Sequence, residues 1–301
     1  MKTLKYEEFR NYVTDHILSY MPEAYSDAEV RVDTIIRPNR SYEGLAIIKD
    51  TGVYYHICNL SEHYERYRTD SDLSSALRRI SQDVQQVEMP PADFCFTEYE
   101  TIRHKLFIRL FSQELHQEYL KRGPYEEYCD LAVTAHIAVS RKGGEVASTI
   151  VTHEMLEKYG ISKEQLFHDA KESSMELFPE QVFPIGNLFE MSQAFSDYMC
   201  RHLVVTNEFR LNGAAVLFYP GELERLAELV GQSYFIAPTS LHEVVISPYD
   251  PEKRTMMNET IRDLNRDATD PEDWLSDHVY LYDAETGELQ SVSDRNPKDF
   301  S

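Results

Sequence analysis

Residues 203–247 constrain the fold more than any other stretch of this chain. Their sequence, LVVTNEFRLNGAAVLFYPGELERLAELVGQSYFIAPTSLHEVVIS, predicts a strand, a turn at Asn212-Gly213, a second strand, a helix, a third strand and, after a helix or turn, a fourth. Pro220 suits the first position of the helix, because proline lacks the N–H that would be unsatisfied there, and Gly231 suits the residue after its last turn. The stretch therefore predicts a compact module of helices and short strands.

The first 90 residues predict a smaller region that ends at Pro90-Pro91, the clearest break in the chain. Phe9, Val13 and Ile17 fall on one face of its first helix. The predicted division is an N-terminal region over residues 1–90 and a larger α/β module over 91–301, unless both form one continuous domain. The predicted elements of the first region are a helix over 5–20, strands over 29–37, 44–49 and 53–58, and a helix from Ser71 or Asp72.

The larger module contains the clearest local prediction, a β-hairpin. Two runs rich in β-branched residues, 129–139 and 145–152, flank Gly143-Gly144, which is typical of a hairpin turn. A closing hairpin is predicted in HVYLYDAETGELQSV, with Thr286-Gly287 at its turn, and Ser162 is a good N-cap for a helix. These patterns predict an α+β (mixed α/β) fold in which several short antiparallel hairpins pack with helices.

The net charge of −22 narrows the range of partners. A field of this sign repels phosphate backbones and anionic lipid surfaces, so binding of nucleic acid through a basic face is not expected. An acidic decoy that imitates nucleic acid is one alternative. A decoy would carry dense rows of carboxylates, whereas here the acids are interspersed with Lys and Arg.

The cysteines and the N-terminus favour a reduced cytoplasmic location. No two cysteines form a CxxC pair, so neither a zinc knuckle nor a redox motif is predicted. The N-terminal residues lack the apolar segment of a secretory leader, and no apolar run is long enough to cross a membrane. We therefore expect no membrane association, and cysteines that serve as small core residues. The four cysteines are Cys58, Cys95, Cys129 and Cys200.

Two His-Glu pairs are weak candidates for a catalytic site. A zincin motif needs a second histidine three residues after the glutamate, but Glu157 stands there after His153-Glu154 and Ile246 after His242-Glu243. His153 and Glu154 are interpreted most simply as cap or surface residues. His242 and Glu243 are the better candidates, because they lie in a loop between apolar strands, where functional residues are frequent.

No cofactor or metal is predicted. The phosphate-binding patterns GxxxxGK[ST] and GxGxxG are missing, as is the GxSxG nucleophile elbow. No signature spacing links a serine to a histidine, although triads assemble in space and this absence is a weak argument.

Several stretches together resemble an uncharacterised bacterial family. They are THEMLEKYGISKEQLFHDA, LVVTNEFRLNGAAVLFYPGELERLAELVG, YFIAPTSLHEVVISP and LSDHVYLYDAETGEL, and the N-terminal YEEFRNYVTDHILSYMPEAY followed by VRVDTIIRPN fits as well. That family is known only as a domain of unknown function and is often found near mobile elements. The resemblance covers nearly the whole chain, and the middle is also distantly similar to a second uncharacterised bacterial family. Because no activity is known for either, the resemblance assigns no catalytic residue.

These observations favour a non-enzymatic cytoplasmic protein that acts by binding a partner protein. The 20 tyrosines suit interfaces, and neither a cofactor loop nor a metal motif is present. The first alternative is a hydrolase or metal-dependent enzyme that uses His242 and Glu243, with His153 and Glu154 as further candidates. The second alternative is the acidic decoy, which would bind a basic protein.

Overall fold

A computed structural model describes residues 3–36, 41–48, 55–86, 98–142, 145–188 and 201–292. The chain divides into two compact units, Met1–Phe96 and Thr97–Ser301. The predicted break at Pro90-Pro91 lies outside the described residues. The described helices and three antiparallel sheets confirm the predicted α+β class.

The first unit packs helices against an antiparallel sheet in the order β1-β2-β3. Phe9, Val13 and Ile17 are fully buried, as their spacing predicted, and Phe9 stacks on Tyr67 with ring centroids 5.0 Å apart. The elements are α1 (Tyr6–His16), 3-10 turns at Ile17–Tyr20 and Glu23–Tyr25, β1 (Glu29–Ile36), β2 (Ser41–Ile48), β3 (Tyr55–Asn59), α2 (Leu60–Asp70) and α3 (Leu73–Gln86).

Helix α2 was not predicted from the sequence. Its buried face consists of Leu60, His63 and Tyr67, so a hydrophobic pattern based on aliphatic residues is missing. Its start has a clear local cause, because the side-chain oxygen of Asn59 accepts hydrogen bonds from the backbone N–H groups of Ser61 and Glu62.

The second unit contains a four-stranded and a six-stranded antiparallel sheet. Its helices are α4 (Tyr99–Ile102), α5 (Gln117–Leu120), α6 (His153–Tyr159), α7 (Lys163–Leu177), α8 (Glu222–Val230) and α9 (Arg254–Asp267). Its strands are β4 (Leu106–Ser112), β5 (Tyr125–Tyr128), β6 (Leu131–Lys142), β7 (Glu145–Ile150), β8 (Glu180–Pro184), β9 (Leu203–Asn207), β10 (Tyr234–Ala237), β11 (Val244–Pro248), β12 (Tyr280–Asp283) and β13 (Glu288–Ser291).

The long strand β6 organises the four-stranded sheet. Strand β4 pairs along one edge, while β5 and β7 share the other edge and pair with its first and second halves. Just before β5 and just after β7, Gly123 lies against Val151, and a Cβ on Gly123 would stand 2.0 Å from the Val151 carbonyl oxygen. The hairpin of β6 and β7 confirms the prediction, and Gly143-Gly144 lies outside the described residues.

The six-stranded sheet has the order β13-β12-β10-β11-β9-β8. Its first two strands form the predicted closing hairpin. Ser162 caps α7 by accepting the Gln165 N–H, and Gly231 follows α8 with a φ of 80°, as expected for these two positions.

Two predictions for residues 203–247 were wrong. Residues Gly213–Phe218 form a 3-10 helix rather than a strand. The whole segment is buried, so its continuous apolar run has no periodicity that could distinguish a helix from a strand. Helix α8 begins at Glu222, two residues after Pro220, because Gly221 takes a left-handed conformation with a φ of 73°.

Candidate functional site

The closing hairpin brings a serine and a histidine together. Strand β12 pairs with β13 so that Tyr280 stands opposite Ser291. Because side chains alternate between the faces of a strand, His278 and Tyr280 share one face with Ser291. The Ser291 Oγ lies 2.7 Å from the His278 Nε2.

The other nitrogen of the same ring faces a carboxylate. The His278 Nδ1 lies 3.1 Å from Asp277 Oδ1 and 3.0 Å from Ser276 Oγ. Since an ionised carboxylate can only accept, the tautomer that pairs with Asp277 has its proton on Nδ1 and leaves Nε2 to accept the Ser291 hydroxyl. Ser291, His278 and Asp277 thus stand in the relation of nucleophile, base and orienting carboxylate, called the Ser291 cluster below.

Burial differs between the members of the Ser291 cluster. The His278 side chain is buried, whereas Ser291 is exposed at the end of the edge strand β13. A substrate can therefore reach the hydroxyl while the ring is held by protein. This is the arrangement that nucleophilic catalysis needs.

Tyr280 and Asp130 complete the surroundings of the ring. The Tyr280 hydroxyl donates to Asp130 Oδ1 at 2.7 Å, and the same oxygen lies 3.7 Å from the His278 Nε2. Burial, and then the charge of Asp130, raises the pKa of Tyr280 well above its usual value. Tyr280 therefore stays a neutral donor that holds Asp130 in place.

Cys129 lies beside β13, in surroundings that disfavour its thiolate. It adopts a left-handed backbone conformation with a φ of 58°, and its Sγ lies 3.5 Å from the Leu289 carbonyl oxygen. Burial, and then the charge of Asp130, raises the pKa of the Cys129 thiol, although the backbone N–H of Ser291 opposes this shift. The thiolate is the nucleophilic form of cysteine, so the raised pKa lowers the reactivity of Cys129.

His242 accepts a hydrogen bond at one ring nitrogen and faces a carboxylate at the other. Its Nδ1 accepts the Asn212 backbone N–H at 3.2 Å, and its Nε2 lies 3.4 Å from Asp273 Oδ1. The His242 carbonyl accepts the Thr206 hydroxyl at 2.7 Å. With its acceptor nitrogen used by the backbone, the ring anchors the loop. Its use as a general base stays a prediction that requires Asn212 to release Nδ1.

Glu243 contributes to the same loop through its backbone. Its carbonyl oxygen accepts from the Thr239 hydroxyl at 2.9 Å and from the Ser240 N–H at 3.3 Å. These bonds shape the turn into β11. A catalytic role for the Glu243 carboxylate stays a prediction.

His153 and Glu154 lie at the start of α6. Both are exposed, and Thr152 caps the helix by accepting the Met155 N–H. Glu154 pairs with Lys158 at 2.8 Å, and this hydrogen bond lowers the pKa of Glu154. His153 also lines an open cleft of about 630 Å³ beside α5.

No hydrogen bond or ion pair joins His153 or Glu154 to His242 or Glu243 in the part of the chain that the structure describes. Among the same residues, no group of three His, Cys, Asp or Glu side chains could hold a metal ion.

One sequence feature, the register of the closing hairpin, indicates that members of the Ser291 cluster lie close together. The predicted hairpin, once its loop is taken as residues 284–287, sets a register with Tyr280 opposite Ser291. That register places Ser291 diagonally across from His278, within reach of a long side chain. Spacing along the chain could not reveal it, because thirteen positions separate the two residues.

The described residues therefore define an α+β protein with a Ser-His-Asp arrangement on an edge hairpin. The chain belongs to the family of unknown function DUF5688, whose sequence profile matches residues 6–284, and this confirms the resemblance to a domain of unknown function. Asp277 and His278 lie within the matched residues, and Ser291 lies beyond them. No curated protein and no solved structure matches the chain. Within the described segments, no helix is at once long enough and apolar enough to cross a membrane.

Proposed function

We propose that this protein is a hydrolase that transfers an acyl group to Ser291 and then to water. The observation that carries the proposal is the contact of one imidazole with a hydroxyl at 2.7 Å and a carboxylate at 3.1 Å, on opposite ring nitrogens. Within the described residues, Ser291 combines exposure with a histidine base and a carboxylate behind it. This combination activates a serine in unrelated hydrolases.

In this reaction, the Ser291 Oγ bonds to the carbonyl carbon of an ester or amide while its proton moves to the His278 Nε2. His278 then gives that proton to the leaving group as the acyl bond breaks. A water molecule repeats the sequence and releases the acid, which restores the Ser291 hydroxyl. Asp277 keeps the ring in the tautomer that can accept a proton and stabilises the imidazolium that forms.

The test compares the full chain with Ser291→Ala, using p-nitrophenyl acetate as the substrate. We expect kcat/KM to fall by at least about 100-fold, because the nucleophile is lost. The matched control is Ser74→Ala, which removes another exposed serine hydroxyl, on α3. An equal rate of hydrolysis by Ser291→Ala and the unaltered chain would contradict the proposal.

The hypothesis of a non-enzymatic protein that binds a partner protein stays a second proposal. It is supported by large apolar side chains at the surface, such as Leu229 and Met256, whose exposed fractions are 55% and 54%. Replacement of both by Gln should abolish capture of a specific partner if these side chains carry the binding, and should leave ester hydrolysis unchanged. The acidic decoy, the cytoplasmic location, the bacterial origin and the association with mobile elements also stay predictions.

A further inference from the structure

Helices α2 and α3 of the first unit pack together, and the packing brings a histidine of α2 close to an aspartate of α3. His63 of α2 is buried, and its Nε2 lies 3.2 Å from Asp83 Oδ2 of α3. Arg79 lies on α3 one turn before Asp83, so the two residues share a face of that helix. These helices belong to the first unit, whereas the Ser291 cluster belongs to the second.

Arg79 uses only part of its guanidinium group in the described structure. Its Nη1 donates to Asp70 Oδ2 at 2.9 Å and to Ser75 Oγ at 2.8 Å. Its Nε and Nη2 are buried and have no hydrogen-bond partner. These two nitrogens form the side edge of the guanidinium, whose parallel N–H groups match two oxygens of one carboxylate or phosphate group.

His63 adds an acceptor to this pair of donors. Its Nδ1 is also buried without a partner. Because Nε2 faces the Asp83 carboxylate, Nε2 carries the proton and Nδ1 has a free lone pair. Burial favours the neutral ring and lowers the pKa of His63, although Asp83 opposes this shift. Buried polar atoms in native proteins nearly always have partners, so three unpartnered atoms on neighbouring helices need an explanation.

We propose that the Nε–Nη2 edge of Arg79 and the Nδ1 of His63 bind one small oxyanion that keeps a hydroxyl group, the chemistry of hydrogen phosphate. Two of its oxygens accept from Arg79, and its hydroxyl donates to His63. A small ligand fits better than a macromolecule, because the binding atoms are buried while the Arg79 side chain as a whole is 27% exposed. Other charged groups that act on His63 are Arg66, which favours the anion, and Glu62 and Asp83, which oppose it.

The test follows the Nε–H signal of Arg79 by NMR in the ¹⁵N-labelled full chain during titration with inorganic phosphate at constant ionic strength. We expect a saturable shift of this signal, and no shift for Arg78, which is exposed on the same helix. Acetate, which has no hydroxyl at neutral pH, should bind at least about tenfold more weakly, as expected when one hydrogen bond of about 1.4 kcal/mol is missing. Absence of a saturable shift, or equal binding of acetate and phosphate, would overturn the proposal.

A second measurement uses variants. Phosphate should raise the Tm of the unaltered chain and of Arg78→Lys by a few degrees at ten times Kd. Arg79→Lys keeps the charge but loses the paired donors, so its Tm should not rise. If Arg79→Lys does not fold, the NMR titration of the unaltered chain decides alone. An equal rise in Arg79→Lys would overturn the proposal.

Discussion

His242 and His278 are two histidines with an aspartate at one ring nitrogen, and they differ in what the other nitrogen contacts. In His242 that contact is the Asn212 backbone N–H, which uses the lone pair. In His278 it is the exposed Ser291 hydroxyl, which can give up its proton to the lone pair. The same residue types therefore anchor a loop in one place and can activate a nucleophile in the other.

The comparison shows that the free lone pair, more than the presence of a carboxylate, separates the two sites. A general base must reach the proton that it abstracts, and a backbone N–H cannot be given up without breaking the local fold. Candidate sites should accordingly be judged by the partner at each nitrogen.

The largest expected effect comes from His278→Gln. Removal of the base should lower kcat/KM for p-nitrophenyl acetate by about 100-fold or more, since general base catalysis typically contributes that much. His242→Gln is the matched control and should keep the rate within about threefold, because its ring does not contact the nucleophile. If the two variants lose equal activity, the distinction between the two histidines is wrong.

Gly213→Ala should have the next largest effect, on stability rather than on activity. A Cβ there would lie 2.2 Å from Thr206 Oγ1 and 2.4 Å from the His242 carbonyl oxygen, so the anchored loop must shift. We expect urea denaturation to show a loss of about 2–3 kcal/mol in the free energy of unfolding. Gly160→Ala, which has a φ of 64° and open space, should cost only about 1 kcal/mol. Equal losses in both variants would mean that the loop around His242 is not tightly packed.

His242→Ala tests the anchoring role directly. It removes the acceptor of the Asn212 N–H and the neighbour of Asp273, so the free energy of unfolding should fall by about 1–2 kcal/mol. The measurement is urea denaturation of the two chains side by side. An unchanged urea midpoint would indicate that the His242 ring does not stabilise the fold.

The smallest effect is a pH dependence of stability that arises away from both histidines. Burial, and then a hydrogen bond with Glu180, raises the pKa of Glu222 to about 7, and Arg225 bridges the two carboxylates at 2.7 Å each. The folded chain therefore holds the Glu222 proton more tightly than the unfolded chain. Its stabilising contribution is complete at low pH and is lost as pH rises from the unfolded pKa to about 7.

Glu222→Gln should remove most of this loss between pH 5 and pH 7.5, measured from the free energy of unfolding at each pH. Glu224→Gln, on the same helical turn, is the control and should keep the fall of the free energy of unfolding with rising pH. If the pH dependence of stability persists in Glu222→Gln, other titratable groups cause it, and the histidines become the groups to examine.

The fold was predictable where local chemistry decides the structure. Contacts between neighbours in sequence determine the β6-β7 and β12-β13 hairpins, the N-cap at Ser162 and the helix end at Gly231. The 3-10 segment Gly213–Phe218 was not predictable, because its conformation depends on burial by the rest of the unit. Helix α2 was missed because its buried face contains a histidine and a tyrosine in place of aliphatic residues.

The candidate site was harder to predict than the fold. His242 and Glu243 were chosen because a loop between apolar strands often carries function, but loop position says nothing about which ring nitrogen is free. Ser291 and His278 meet only through the register of a hairpin, and Asp277 contributes because it precedes His278. Motif spacing cannot detect such a cluster, whereas a register derived from the turn could have placed two of its members together.

The most direct test of the central claim is to treat the full chain with a fluorophosphonate probe and to locate the adduct by mass spectrometry. Such probes react with a serine hydroxyl that a neighbouring base has activated, and fluoride leaves as the Oγ–P bond forms. We predict one adduct, on Ser291, that is lost in His278→Gln and kept in His242→Gln. An unmodified Ser291, or an adduct that persists without His278, would contradict the account.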